Sequence, residues 1–119
     1  MNGIVQMGGE YNLAAEKDFE NKIKAYLDEK GAWYIKYWAG SRFTRDGIPD
    51  ILACVRGYFV AIEVKAQNGK YDPEGLQAHK IKEIRKAGGF AMVVFPSGWR
   101  DFRKFIDNLR SNRSEQRNT

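Results

Sequence analysis

Two carboxylates and a lysine carry the strongest chemical signal in this chain. Asp50 follows Gly47-Ile48-Pro49, and Glu63-Val64-Lys65 closes the next apolar stretch. Between them, Asp50–Val55 and Tyr58–Lys65 read as two apolar strands around an Arg56-Gly57 turn. With that turn, Val55 faces Tyr58, Cys54 faces Phe59, Leu52 faces Ala61 and Asp50 faces Glu63. A four-residue loop gives the same pairing, whereas an odd loop or a bulge would shift it. Facing residues share a side of a sheet, as do residues two apart along one strand, so Lys65 joins Asp50 and Glu63.

Opposed carboxylates repel across a strand pair. A fold keeps them more readily around a cation. Carboxylate oxygens are hard ligands suited to Mg²⁺ or Mn²⁺, and Mg²⁺ takes one or two of them with water and phosphate oxygens. The carbonyl of Val64 offers a further oxygen. Lys65 is placed to stabilise negative charge on a phosphate in the transition state, or to orient an attacking water. An isolated Glu-x-Lys occurs by chance in many proteins, so its surroundings matter. Ile51, Ala53, Val55, Val60, Ile62 and Val64 make one apolar face; Leu52, Cys54, Phe59 and Ala61 make the other. The pattern predicts a central hairpin covered on both sides. Charges at the end of such a hairpin are costly and usually have a use.

The elements that must position these residues follow from periodicity. Ala15, Phe19, Ile23 and Leu27 recur every four residues, predicting a helix from Ala14 that stops at Gly31. Trp33 to Trp38 alternates as a strand, and residues 39–49 form a loop. A helix is expected from Pro73 or Glu74 to Ala87, with Leu76, Ile81 and Ile84 inward and Gly88-Gly89 as its stop. Phe90–Phe95 reads as a short apolar strand, and Asp101 to Leu109 as a last helix. The order is α-β-β-β-α-β-α. Residues 1–13 read as a loose leader, 14–110 as the folded domain and 111–119 as a fraying polar tail.

A chain of 119 residues fits one domain, and 43% hydrophobic content supplies one modest core. Lys plus Arg number 20 against 15 Asp plus Glu, a net charge of +5 that suits a polyanionic partner. Cys54 is the sole cysteine, which excludes an internal disulfide framework and a Cys-rich zinc site. His79 is the sole histidine, which excludes sites built on several. No apolar run is long enough for a membrane span, and no signal-peptide core is present, so a cytoplasmic location is expected.

Gly47-Ile48-Pro49-Asp50, then Glu63-Val64-Lys65, then Gln77 on the following helix, resembles the VRR-NUC branch of the PD-(D/E)xK nuclease superfamily. The resemblance runs from about Glu16 to Phe95. It is nearest to the stand-alone phage- and plasmid-borne members, which resemble Holliday junction resolvases. It implies an α/β restriction-endonuclease-like core, a central mixed sheet flanked by helices, and Mg²⁺-dependent hydrolysis of DNA phosphodiesters. Asp50 and Glu63 would then be metal ligands, and Lys65 the catalytic lysine. Gln77 would orient Lys65 or the nucleophilic water. The family's first-helix glutamate falls on Glu20 or Glu16, one turn apart on the same edge. Glu20 suits a resolvase-like distance to Gly31, and Glu16 is the alternative.

Arg42 and Arg45 before the Pro49-Asp50 step, and Lys70 after the Glu63-Val64-Lys65 strand, suit phosphate contacts. Lys36, Lys80 and Arg100 are looser candidates, and Phe43 could stack on a base or on the protein. Nothing resembles a base-reading helix, which favours recognition of branched DNA by shape. Symmetric cutting of a four-way junction needs two sites and one chain supplies one, so a homodimer is expected. Alternatives are a nuclease for nicked, flapped or forked DNA, one with restriction-like activity, or a non-catalytic nucleic-acid-binding module. The module's usual mark would be a lost motif residue, and all three are present.

Overall fold

The computed structural model describes residues 8–37 and 47–110. Helix α1 spans Gly8–Glu29, strand β1 Trp33–Lys36, β2 Ile51–Val55, β3 Tyr58–Val64, helix α2 Leu76–Lys86, β4 Phe90–Val94 and helix α3 Trp99–Asn108. A 3-10 turn at Pro96–Gly98 leads into α3. The order agrees with the one expected. The sheet runs β1-β2-β3-β4; β1, β2 and β3 are antiparallel neighbours, and β4 joins β3 in parallel, so the sheet is mixed. Among the described residues no helix is long and apolar enough to cross a membrane.

The three helices start at positions other than those expected. Helix α1 begins at Gly8, ahead of the expected Ala14. It ends as expected: the Ala32 amide donates to the Leu27 carbonyl and the Gly31 amide to that of Asp28, with Gly31 at φ +73°. These are the paired bonds of a glycine-closed helix end. Helix α2 starts at Leu76, after the expected Pro73 or Glu74. The Glu74 amide donates to Asp72 Oδ1 and the Gly75 amide to the Asp72 carbonyl, which folds residues 72–75 into a turn instead. Helix α3 starts at Trp99, ahead of Asp101.

The main core lies on one face of the sheet. Ile51, Ala53, Val55, Val60, Ile62 and Val64 are all buried there, against Phe19, Ile23 and Leu27 of α1 and Phe102 and Ile106 of α3. The other face departs from expectation. Ala61 and Ala91 are buried under Ile81 of α2, with Leu52 and Ile84 partly covered. Cys54 is exposed, Phe59 is 45% exposed, Trp33 68% and Ile35 43%. The hairpin is therefore covered fully on one side only. Helix α2 is the crossover between the parallel strands β3 and β4, so it lies over those two and leaves β1 and the hairpin tip bare.

The hairpin turn carries Arg56 at φ +52° and Gly57 at φ +92°, the left-handed pair of a two-residue turn that matches strand twist. Arginine is strained at positive φ. Its guanidinium Nη1 donates to the carbonyls of Ile106 (3.1 Å) and Leu109 (2.8 Å), which caps the open C-terminal end of α3. Arg56→Ala should keep the strain and lose the cap, costing about 2 kcal/mol in chemical denaturation. Arg56→Gly also loses the cap but relieves the strain, and should fall between the two. An unchanged Arg56→Ala midpoint would remove the capping role.

Candidate active site

The site forms where β2 has ended and β3 continues. The ladder pairs Ile51 with Ile62, Leu52 with Ala61, Cys54 with Phe59 and Val55 with Tyr58, the register expected from the turn. One step further, Asp50 stands just before β2 and Glu63 within β3. Asp50 follows Pro49, which is fully buried, and its carbonyl accepts the Tyr37 amide at 2.7 Å. Asp50 Oδ2 accepts the Val64 amide at 2.8 Å, so the side chain fastens itself across the strand gap. The Val64 main chain thus enters the site through its N–H. Gly47, at φ +83°, passes so close to α2 that a Cβ there would lie 2.6 Å from the Leu76 carbonyl oxygen. Glycine in that motif lets the Asp50 loop pack against the start of the helix that carries Gln77.

Glu63 is 3% exposed. Its Oε2 accepts a 2.6 Å hydrogen bond from Gln77 Nε2 and lies 3.5 Å from Lys65 Nζ. Gln77 therefore reaches Glu63, where the family resemblance implied Lys65 or a water, because helix α2 starts at Leu76 beside β3. Glu63 Oε1 is buried and has no hydrogen-bond partner. Burial first, then the nearby Asp50 charge, push the Glu63 carboxyl up to about 7, against the pull of Lys65. A buried carboxylate with one oxygen unsatisfied is expensive unless something cationic completes it. Asp50 and Glu63 are a pair: among the described residues no three His, Cys, Asp or Glu side chains gather as a metal centre. Two hard carboxylates suit Mg²⁺, which holds several waters and needs few protein ligands.

The buried Glu63 carboxyl makes the stability of the metal-free protein depend on pH. The folded state holds the Glu63 proton up to about pH 7, whereas the unfolded chain releases it near the ordinary 4.5. The folded state thus binds more protons across that interval, so stability falls as pH rises through it and levels off above. The loss should be on the order of 3 kcal/mol, and Glu63→Gln should flatten it. Denaturant melts in chelator at pH 5 and pH 8 check this; equal pH slopes for both proteins would contradict it.

The first-helix glutamates are placed differently from each other. Glu20 is 4% exposed and saturated by lysines, with Nζ of Lys36 at 2.5 Å, Lys24 at 2.8 Å and Lys17 at 3.3 Å. Burial raises its pKa, but the bonds from Lys24, Lys36 and Lys17 outweigh that and bring it down to about 2. Glu16 is half-buried; burial and then Asp50 hold its carboxyl above the usual range, while Lys65 and Lys36 pull it down. Glu16 therefore senses the Asp50–Lys65 site directly, and Glu20 meets it through Lys36, whose Nζ also lies 3.4 Å from Asp50 Oδ1. The sequence did not place Lys36 on these carboxylates. The long connection between β1 and β2 leaves their register open, and only the fold pairs Lys36 with Ile51 beside Asp50.

Lys70 is exposed and lines a shallow groove with Gly47, Asp72, Leu76 and Gln77, next to the site. Lys80 pairs with Glu83 at 3.0 Å on the outer side of α2. Arg100 is exposed at the start of α3, the helix on the opposite face of the sheet. Arg42, Phe43 and Arg45 lie outside the described residues.

A family model described as archaeal Holliday junction resolvase (Hjc) matches residues 13–109. A UPF0102 protein of Pseudothermotoga lettingae is 33% identical over 88 residues, covering 73% of this chain and 79% of the relative. The match supports the nuclease superfamily and the resolvase-like character of the motifs; the model that matched is that of the resolvases, not of the VRR-NUC branch.

Proposed function

Because the chain belongs to the archaeal Holliday junction resolvase family, we propose that it is a Mg²⁺-dependent endonuclease that hydrolyses phosphodiester bonds in four-way or otherwise branched DNA. The observation that carries this reading is the buried, unpartnered Glu63 Oε1 beside Asp50. Asp50 and Glu63 would hold the cation, with the Val64 carbonyl as a further ligand and Mn²⁺ able to substitute. Bound there, the ion supplies Lewis-acid polarisation of a phosphate oxygen and a water of lowered pKa. Gln77 fixes Glu63 through Oε2, which would leave Oε1 free to hold the cation. Lys65 presents its ammonium beside the carboxylates, where it stabilises the charge that builds on the phosphate. Glu20 and Glu16 shape the charge behind Asp50, while Arg42, Arg45 and Lys70 grip flanking phosphates. A homodimer would supply the second cut. Within the superfamily, the motif set keeps its likeness to the stand-alone VRR-NUC members.

Cleavage of labelled linear, nicked, flapped, forked and four-way DNA, with Mg²⁺ or Mn²⁺ and with chelator, tests this. The four-way junction should be cut at two symmetric positions, far faster than linear duplex, and only with metal. Preference for flaps or forks would move the substrate to those structures. Junction binding without cleavage in either metal would leave a non-catalytic binding module.

A further inference from the structure

Lys36 is tied to two carboxylates at once. Its Nζ lies 2.5 Å from Glu20 Oε1 and 3.4 Å from Asp50 Oδ1, and the side chain is only 27% exposed. Glu20 already has Lys17 and Lys24 on its other oxygen, so it does not need Lys36 for neutralisation. Asp50, by contrast, faces Glu63, and among the described residues no other ammonium is bonded to it, its Oδ2 being taken by the Val64 amide. The Asp50 oxygen that Lys36 approaches, Oδ1, is the one still open to a cation.

We propose that Lys36 is a positioning residue that occupies Asp50 Oδ1 as an internal cation and is displaced from it when a divalent ion binds, with Glu20 as the post that holds it in reach. This rests on the reading of Asp50 and Glu63 as the metal pair. An ammonium at hydrogen-bond distance cannot share that oxygen with a divalent ion about 2 Å away without strong like-charge repulsion. Lys36 therefore weakens metal binding and, in exchange, relieves the Asp50–Glu63 repulsion in metal-free protein. Once released it remains anchored to Glu20 at the edge of the site, where its charge adds to the attraction for a phosphate.

A structural salt bridge and this device make opposite predictions for metal affinity. Mn²⁺ titration of metal-free protein, followed by electron paramagnetic resonance or calorimetry, reads it without any cleavage. Lys36→Met should bind Mn²⁺ roughly five- to twentyfold more tightly than wild type, an advantage that shrinks as salt rises. Lys36→Arg should restore the wild-type affinity. Lys36→Gln, which keeps a donor for Glu20, should shift affinity in the same direction as Lys36→Met and guards against a folding failure of the latter. In chelator both neutral variants should melt below wild type. Unchanged or weaker Mn²⁺ binding by both neutral variants, while wild type binds, overturns the role given to Lys36. No saturable Mn²⁺ binding by wild type overturns the metal-pair reading beneath it.

Discussion

Lys65→Ala should leave the protein folded and able to bind branched DNA, yet slow cleavage by roughly 10²–10³-fold. Lys65 follows β3 directly, and its amide still donates to the Val94 carbonyl at 3.0 Å, so its backbone is fixed by the sheet. Its Nζ sits 3.5 Å from Glu63 Oε2, on an oxygen that Gln77 already satisfies. Removing the ammonium leaves Glu63 Oε2 its bond from Gln77, and the buried carboxyl, already pushed up to about 7, can take up a proton in place of the lost charge, so the fold should tolerate it. What is lost is positive charge at the place where a phosphate gains negative charge, an interaction worth more in the transition state than in the ground state. Single-turnover cleavage beside equilibrium binding separates the two. Near-normal cleavage by folded Lys65→Ala would refute its role.

Asp50→Asn should be inactive and, in chelator, more stable than wild type. Asp50 and Glu63 repel, and Glu63 is too buried for water to screen the charge well. Opposed like charges cost roughly 0.2–1 kcal/mol in a strand pair, and more when buried. Asparagine keeps an oxygen to accept the Val64 amide, so the fastening across the strand gap survives. The lost contact to Lys36, at 3.4 Å, is the weaker of that lysine's two. With Mn²⁺ the order should reverse, because wild type gains linkage stabilisation that the variant cannot. A variant less stable in chelator that responds to metal like wild type would mean that the two carboxylates share no cation.

The hairpin and its register were legible because two residues with a glycine fix the pairing of both strands, and the pairing alone brings Asp50 to Glu63. Helix α1 was legible from Phe19, Ile23 and Leu27 at one period with Gly31 behind them. What the pattern could not show was where coverage stops. Apolar residues at Cys54 and Phe59 look like core from sequence, but the crossover helix lies over β3 and β4 only. Nor could it show side-chain partners across long connections. Lys36 finds Asp50 only through the β1–β2 register, and Gln77 finds Glu63 because Asp72 turns the chain before α2 begins. The two glutamates one turn apart were indistinguishable by period; the lysines around Glu20 separate them.

Calorimetric titration of Mn²⁺ into metal-free protein at about pH 8, where Glu63 with its carboxyl pushed up to about 7 is ionised, tests the central claim most directly. Wild type should show saturable binding with proton release that fades as pH rises. Binding should be lost or at least about tenfold weaker in Asp50→Asn and in Glu63→Gln, since each removes a charged ligand, and unaltered in Lys70→Ala. Mn²⁺ binding that survives both carboxylate substitutions at wild-type affinity would contradict it.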